Sequence, residues 1–208
     1  MFSDLSLFTI ISILISILIS MTLHEAMHAF MGYWLGDDTA YLQGRISLNP
    51  LMHIDIFATV LLPMVLILSG LPPFFAARPV PFNPNRVKFD EFGAALVGVI
   101  GPFTNLVLAV AGAALIHGLA PILSVEILNF IAIFVIVNVA FFVFNMIPFP
   151  PLDGSRLLYA FSPEPLRRAM ERIESFGFVA IILFMVIFFS FLAPAVININ
   201  QAILNILL

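Results

Sequence analysis

The amino-acid sequence predicts an all-α polytopic membrane protein. Hydrophobic residues make up 62% of its 208 positions and charged residues only 10%, whereas soluble domains are about 45–50% apolar and about 25% charged. Several apolar runs approach or exceed the roughly 20 residues that a helix needs to cross a bilayer. We therefore expect a single membrane-embedded domain, residues 1–208, with about 4–6 transmembrane helices, a short membrane-associated β-strand or hairpin and a re-entrant segment.

The transmembrane prediction depends on length and apolar character. Four segments meet both criteria well: residues 7–35, 92–117, 127–147 and 176–192. A fifth segment, 56–71, is shorter and is interrupted by Pro63. The tail, 195–208, is apolar but carries three asparagines, so we expect an interfacial segment or a short last helix.

The connections between these segments are more varied. Gly36 is expected to end the first helix, because glycine adopts the left-handed conformation at helix ends. Residues 39–48 partly alternate and are rich in strand formers, which predicts the β-strand or hairpin. The proline-rich stretch 72–84 must be irregular, so it should lie at the surface or be covered by protein. Residues 165–174 predict a short amphipathic helix.

The basic residues indicate the orientation in the membrane. There are eight: Arg45, Arg78, Arg86, Lys88, Arg156, Arg167, Arg168 and Arg172. Seven lie on one side if 56–71 spans the membrane, and all eight do if that segment is re-entrant. We prefer the re-entrant topology, with the N-terminus outside and the basic loops in the cytoplasm.

A metal-binding pattern, His24-Glu25-Ala26-Met27-His28, lies within the first apolar run. On a helix, positions i and i+4 are about 40° apart around the axis, so both imidazoles face one ion. Glu25 is the only Asp, Glu, Lys or Arg within the long apolar runs, and a charge at the bilayer centre costs roughly 2.5–3.5 kcal/mol or more. A chance match is therefore disfavoured, and the pattern indicates a zinc hydrolase.

Zinc in a catalytic site takes three protein ligands, and the third must come from elsewhere. With no cysteine in the chain, it must be a histidine or a carboxylate. His53 and His117 are isolated; His53 could support the site or lie in a surface loop, and His117 is expected at the interface. Asp153 is the better candidate. It follows a predicted spanning helix, where prolines interrupt the helix and Gly154 lets the backbone turn, so that the carboxylate can point inward. An ordinary helix-terminating turn remains the alternative.

Asn105, Asn138 and Asn145 lie within predicted spanning helices. An amide there can donate to a developing oxyanion, and it can equally bond a neighbouring helix. For Asn105 and Asn145 we expect proximity to the site and include both among the candidate catalytic residues with Glu25. For Asn138 we expect an interhelical hydrogen bond.

Taken together, these motifs resemble the site-2 protease family of intramembrane zinc metalloproteases. They are His24-Glu25-x-x-His28, then Gly101-Pro102-Phe103-Thr104-Asn105, then Asn145-x-x-Pro148-x-Pro150-x-Leu152-Asp153-Gly154. The stretches Asp37-Asp38-Thr39-Ala40, Gly44-Arg45, Leu48-Asn49-Pro50 and Pro79-Val80-Pro81-Phe82-Asn83-Pro84 resemble its short bacterial and archaeal members. The resemblance covers a catalytic core of about residues 7–158. The PDZ and CBS domains that accompany many relatives have no room in this chain.

The resemblance implies His24, His28 and Asp153 as ligands of one zinc ion and Glu25 as the catalytic glutamate. It implies an enzyme that hydrolyses peptide bonds in or near transmembrane segments of membrane protein substrates. It places the protein in a prokaryotic inner or plasma membrane with its site toward the cytoplasm. The expected partners are the substrate and the lipid bilayer, with no nucleic acid, and the oligomeric state is unknown.

Two other functions fit the same residues. One is an inactive membrane zinc protein that binds or escorts clients or has a structural role; Glu25 argues against it, because a structural site does not need that carboxylate. The other is a metal transporter, which would be expected to carry more ligands along a pathway than this chain offers. A substrate strand added to residues 39–48 is a further expectation.

Overall fold

The computed structural model describes residues 6–55, 59, 61 and 77–208, and within them the chain is helical. The longer helices are α1, Leu7–Leu35; α3, Asp90–Leu119; α4, Val125–Asn145; and α8, Phe189–Leu207. The shorter helices are α2, Thr39–Leu42; α5, Ser155–Phe161; α6, Glu164–Glu174; and α7, Phe178–Ile187. Single 3₁₀ turns lie at Pro50–Met52 and Pro84–Arg86.

Helices α1, α3 and α4 pack against one another in all three pairings and form the core. Small residues on α3 allow the close approach of its neighbours, as is common between membrane helices. At Gly112, for example, an added Cβ would lie 2.8 Å from a methyl group of Val135. Val135 and Val139 of α4 are fully buried, and α8 packs across them.

The distribution of polar and apolar side chains on α1 is inverted relative to a soluble helix. Its buried face carries Ser12, Ser16 and Ser20 and continues to the two histidines. Large apolar side chains such as Leu14 and Ile15 are on the outside, 48% and 41% exposed. A helix with this pattern is solvated by lipid, so the structure is that of a multi-pass membrane protein.

Three helices, α1, α3 and α4, are long and apolar enough to cross a membrane, and α7 with α8 could supply a fourth crossing. The span predicted over 176–192 corresponds to α7 and the start of α8, which together could form one broken span or a re-entrant loop. The chain bends by 93° between α7 and α8, and the tail continues as part of α8. Apolar composition favours burial in lipid but does not fix the direction of a helix. The bend could therefore not be predicted from composition.

The prediction of a β-strand or hairpin over 39–48 is wrong, because the structure has a helical turn followed by irregular chain there. The Asp37 carboxylate accepts hydrogen bonds from the backbone N–H and the hydroxyl of Thr39, at 3.1 and 2.5 Å, and starts the helical turn α2. Gly44, with φ of 66°, then lets the Arg45 N–H reach the Ala40 carbonyl at 2.9 Å. A local hydrogen bond from side chain to backbone and a left-handed glycine therefore outweigh the weak alternation of side chains.

Two other local predictions are confirmed. Gly36 ends α1 in the left-handed conformation, with φ of 110°, and the amphipathic helix expected at 165–174 is α6. The segment 56–71, expected to be re-entrant, lies outside the described residues except for 59 and 61. The connection from α1 to α3 begins and ends at neighbouring points. The Lys88 N–H, just before α3, donates to the carbonyl of Leu35, the last residue of α1, at 2.9 Å. The end of α1 and the beginning of α3 therefore lie at the same end of the helix bundle.

Candidate metal centre

The two histidines of the first motif lie one helical turn apart on the buried face of α1. His24 is 4% exposed and His28 is 8% exposed. Their Nε2 atoms are 3.0 Å apart, and the rings meet edge to face. The helix therefore presents two imidazole nitrogens to one point in space, as the spacing predicted.

The structure brings Asp153 to the same point. Its Oδ2 lies 3.0 Å from Nε2 of His24 and 3.3 Å from Nε2 of His28. In a tetrahedral site with zinc bonds of about 2.0–2.1 Å, ligand atoms are about 3.3 Å apart. These donors therefore match the spacing and chemistry of zinc ligands, and they form a group able to hold a metal ion.

The other nitrogen of each imidazole is also engaged. His24 Nδ1 lies 2.6 Å from Oδ1 of Asn105, and His28 Nδ1 lies 2.6 Å from the carbonyl oxygen of Val97. Both partners are acceptors, so each Nδ1 carries the proton and donates it. The Nε2 atom of each ring is therefore the one that faces Asp153 and a metal ion between them, which is the arrangement common around metal-bound histidines.

Asn105 lies deeper than expected for a group that meets a substrate. It is fully buried, and its Nδ2 donates to the Ser20 carbonyl at 3.3 Å and to Oδ1 of Asn138 at 3.0 Å. Asn138 in turn donates to the Phe134 carbonyl at 2.8 Å. The network links α1, α3 and α4 behind His24, and it confirms the interhelical hydrogen bond expected of Asn138.

Gly101 of α3 packs directly on the two histidines. A Cβ at this position would lie 2.8 Å from Cε1 of His24 and 2.7 Å from Cε1 of His28, with Nε2 of His28 closer still. The imidazoles could not keep their places beside such an atom. The sequence signal was the glycine in the Gly101-Pro102 motif, but its contact with the histidines was not predicted. The hydrogen bond between His28 and the Val97 carbonyl was not predicted either.

The turn after α4 sets the position of Asp153. The N–H of Gly154 donates to the carbonyl of Asn145 at 2.7 Å, which folds the turn back onto the end of the helix. Gly154 has no room for a Cβ, which would collide with the Met146 carbonyl. Burial raises the pKa of Asp153, but attraction to the two imidazoles outweighs it, so the pKa lies below its ordinary value. The carboxylate is therefore ionised, as a metal ligand must be.

A cavity of about 670 Å³ opens beside these ligands. Glu25 is partly exposed in its wall, and Asn145 also lines it, with its Nδ2 donating to the Phe141 carbonyl at 3.0 Å. The remaining walls are mainly apolar and include the irregular segment 77–82 and α7. The predicted residues Glu25 and Asn145 thus share a cavity with the metal ligands, whereas Asn105 lies behind them.

The other two histidines lie elsewhere. His53 is fully buried in the connection after α1, with Nε2 2.8 Å from the Ser47 carbonyl. His117 is near the end of α3, with Nε2 2.9 Å from the Leu207 carbonyl. Neither belongs to the group that could hold the metal ion.

Two curated proteins with significant similarity carry the same kind of name. The chain is 37% identical over 167 residues to “Putative zinc metalloprotease YwhC” of Bacillus subtilis (strain 168), covering 77% of this chain and 72% of that protein. It is 27% identical over 159 residues to “Putative zinc metalloprotease Rip2” of Mycolicibacterium smegmatis (strain ATCC 700084 / mc(2)155), covering 76% of this chain and 60% of that protein. No family model matches the chain, and no solved structure matches it significantly.

The fold and site define a multi-pass membrane protein with a zinc-type centre of two histidines and one aspartate. With the relationship to the Bacillus protein, the chain belongs to the site-2 protease-like family of zinc metalloproteases.

Proposed function

We propose that this protein is an intramembrane zinc endopeptidase that cleaves membrane protein substrates in or near their transmembrane segments. The observation that carries the proposal is the convergence of His24 and His28, on a helix suited to lipid, with Asp153 beside a cavity. The zinc metalloprotease names of the relatives support the reaction class. We propose that the protein acts in a prokaryotic inner or plasma membrane.

We assign one zinc ion to His24 Nε2, His28 Nε2 and one carboxylate oxygen of Asp153. When bound there, zinc supplies Lewis acidity, which polarises a carbonyl group and makes water a better nucleophile near pH 7. The protein's part is to fix the three donors, and the hydrogen bonds of Asn105 and the Val97 carbonyl do this for the imidazoles. Asn105 is accordingly a positioning residue in this proposal.

Glu25 is the proposed general base and acid. It follows His24 directly, and its carboxylate is partly exposed in the wall of the cavity. It takes a proton from the attacking water as the C–O bond forms at the scissile carbonyl. It then delivers that proton to the amide nitrogen as the C–N bond breaks, so the products are a carboxyl group and an amine.

Asn145 is the proposed protein donor to the oxyanion. One N–H of its Nδ2 group bonds the Phe141 carbonyl, and a side-chain amide has a second N–H to offer. Asn145 lies in the cavity wall, whereas both N–H groups of Asn105 are used within the core. The oxyanion role therefore fits Asn145 better than Asn105.

The cavity suits an unwound stretch of a transmembrane substrate. A helix satisfies its own backbone hydrogen bonds, so a peptide bond must leave the helix before water can reach it. The lining of the cavity includes α1 and the irregular segment 77–82, with Val80 and Phe82 among its residues. We propose that the substrate lies extended in this cavity, in place of pairing with residues 39–48.

The decisive comparison is between the wild type and Glu25→Gln, both purified in detergent. We expect both to bind one zinc ion, because Glu25 is not a ligand. We expect Glu25→Gln to cleave a transmembrane peptide about 10²–10⁴-fold more slowly, because the proton carrier is lost. Zinc content by metal analysis and cleavage by mass spectrometry provide the two measurements.

Equal cleavage by both proteins would remove Glu25 as the base. Zinc binding without cleavage in either protein would instead favour the inactive client-binding alternative. His24→Ala is the matched control, because it should lose zinc and cleavage together.

A further inference from the structure

Asp153 differs from the histidines in how it is held. Each imidazole is oriented by a hydrogen bond on its second nitrogen, whereas the bonds of the Asp153 carboxylate in the structure are to the imidazoles themselves. It extends from a turn, and a turn is less rigid than a long packed helix. Its position must therefore be set by whatever anchors the turn.

Arg156 makes the contacts that anchor this turn. Its backbone N–H donates to the Asp153 carbonyl at 3.0 Å. Its side-chain stem lies against Gly98 of α3, where an added Cβ would be 2.6 Å from Cβ and Cγ of Arg156 and 3.0 Å from the Asp153 carbonyl oxygen. Gly98 lies one turn before Gly101, which packs on the histidines. One face of α3 therefore supports the histidines and the aspartate turn together.

The guanidinium group of Arg156 is fixed from several sides. Nη2 pairs with Glu174 at the end of α6, and the other oxygen of Glu174 accepts a hydrogen bond from the Tyr159 hydroxyl at 2.9 Å. The guanidinium also lies 5.1 Å from the ring centre of Tyr159 and 5.9 Å from that of Phe82. The side chains of Arg156 and Glu174 are only 26% and 31% exposed. A planar cation held by pairing and by two rings is more rigid than an ordinary surface ion pair.

Tyr159 strengthens this arrangement. It is 4% exposed, and burial, with the adjacent Glu174 carboxylate, raises its pKa above the ordinary value. The phenol therefore keeps its proton and remains a donor to Glu174. Arg156, Tyr159 and Glu174 form a closed set of contacts, and Arg156 lies three residues after Asp153.

We infer that Arg156, held by Glu174 and Tyr159, is a positioning residue that sets the place of the Asp153 carboxylate in the metal centre. The inference rests on the proposed zinc site and adds a residue to it. Arg156 acts through the turn, by tying Asp153 to α3 and to the end of α6.

The test measures metal binding by the full-length protein in detergent, independently of proteolysis. Metal-free protein is titrated with Co²⁺ in competition with a chelator, and the visible absorption of bound Co²⁺ reports ligand geometry. The variants are Arg156→Ala, Arg156→Lys and Glu174→Gln. The matched control is Arg168→Ala, which removes the same charge from an exposed pair with Glu164. Circular dichroism confirms that each variant is folded.

We expect Arg156→Ala to bind Co²⁺ about 10–100-fold more weakly and with an altered spectrum, the range typical when support of a metal ligand is lost. Arg156→Lys should recover part of the affinity, because the charge remains while the planar contacts do not. Glu174→Gln should fall between Arg156→Ala and the wild type, and Arg168→Ala should match the wild type.

Folded Arg156→Ala and Glu174→Gln proteins with wild-type Co²⁺ affinity and spectrum would overturn the inference, even if their thermal stability is reduced. If Arg156→Ala does not fold, Glu174→Gln decides by the same criterion. Failure of the wild type to bind Co²⁺ or Zn²⁺ would instead refute the proposed function. A wild type that binds and cleaves, with unaffected variants, would refute only the role of Arg156.

Discussion

Gly101 determines how closely α3 approaches His24 and His28. Replacing it with alanine places a methyl group within 2.8 Å of ring carbons of both His24 and His28. We predict that Gly101→Ala lowers zinc affinity about tenfold or more, because the imidazoles must turn away from Asp153. Equilibrium competition with a chromophoric chelator measures this affinity.

Gly118 offers a control in the same helix. An added Cβ there has no atom within 4 Å, so Gly118→Ala should leave zinc affinity unchanged. It should also gain up to about 1 kcal/mol of helix propensity. If both substitutions left zinc affinity at the wild-type level, the packing of α3 on the histidines would not control the site.

At the residue scale, the sequence predicted the groups whose chemistry is distinctive. His24, His28 and Asp153 could be proposed because few side chains bind zinc and few polar groups occur in apolar segments. The Val97 carbonyl could not, because every residue has a carbonyl and only the packing of α3 on α1 selects this one. Arg156 and Glu174 were missed for a similar reason, since tertiary packing brings them together.

At the scale of elements, the buried Asp37 organises the connection after α1. Its carboxylate accepts hydrogen bonds from Thr39 and, at 2.7 Å, from the backbone N–H of Asn83. It therefore joins α2 to the end of the segment that lines the cavity. We predict that Asp37→Ala lowers the free energy of unfolding by about 1–3 kcal/mol, because buried N–H groups lose their acceptor. Thermal unfolding of the variant and the wild type in detergent measures this difference in stability.

Asp38 provides the adjacent control. It is about half exposed and pairs with Arg86 at 2.5 Å, an interaction worth about 0–1 kcal/mol at a surface. Asp38→Ala should therefore shift the unfolding transition little. Equal shifts for the two variants would show that the buried contacts of Asp37 add nothing beyond those of an exposed aspartate.

The sequence predicted best the helices that are formed by long apolar runs. Helices α1, α3 and α4 follow the predicted runs, and α3 and α4 begin slightly earlier because polar residues form their first turns. Asp90 and Glu91 lie in the first turn of α3, and Ser124 caps α4 by accepting from Ile127. Short connections were predicted less well, because a single cap or left-handed glycine decides them, as at Asp37 and Gly44.

At the scale of the whole molecule, the metal centre and most basic residues share one face. The ends of α1 and α4 and the beginning of α3 meet there, and α6, which carries three of the eight basic residues, follows the same turn. Positively charged connections favour the cytoplasm, so we expect this face to be cytoplasmic and the turn between α3 and α4 to be external.

The absence of cysteine makes this orientation directly measurable. Ile122, in the turn between α3 and α4, is 77% exposed, and the Arg168 side chain on α6 is 71% exposed. In intact bacterial cells, Ile122→Cys should react with a membrane-impermeant maleimide, whereas Arg168→Cys should react only after lysis. The opposite labelling pattern would place the metal centre toward the outside.

The origin of the third ligand has a consequence for biosynthesis. His24 and His28 emerge early in synthesis, whereas Asp153 follows two further membrane helices. Until α4 has been inserted and the turn after it has folded, the nascent chain holds only two of the three proposed metal ligands. The proposed enzyme would therefore stay inactive while its own unpacked helices, and those of proteins inserted beside it, are most vulnerable to cleavage.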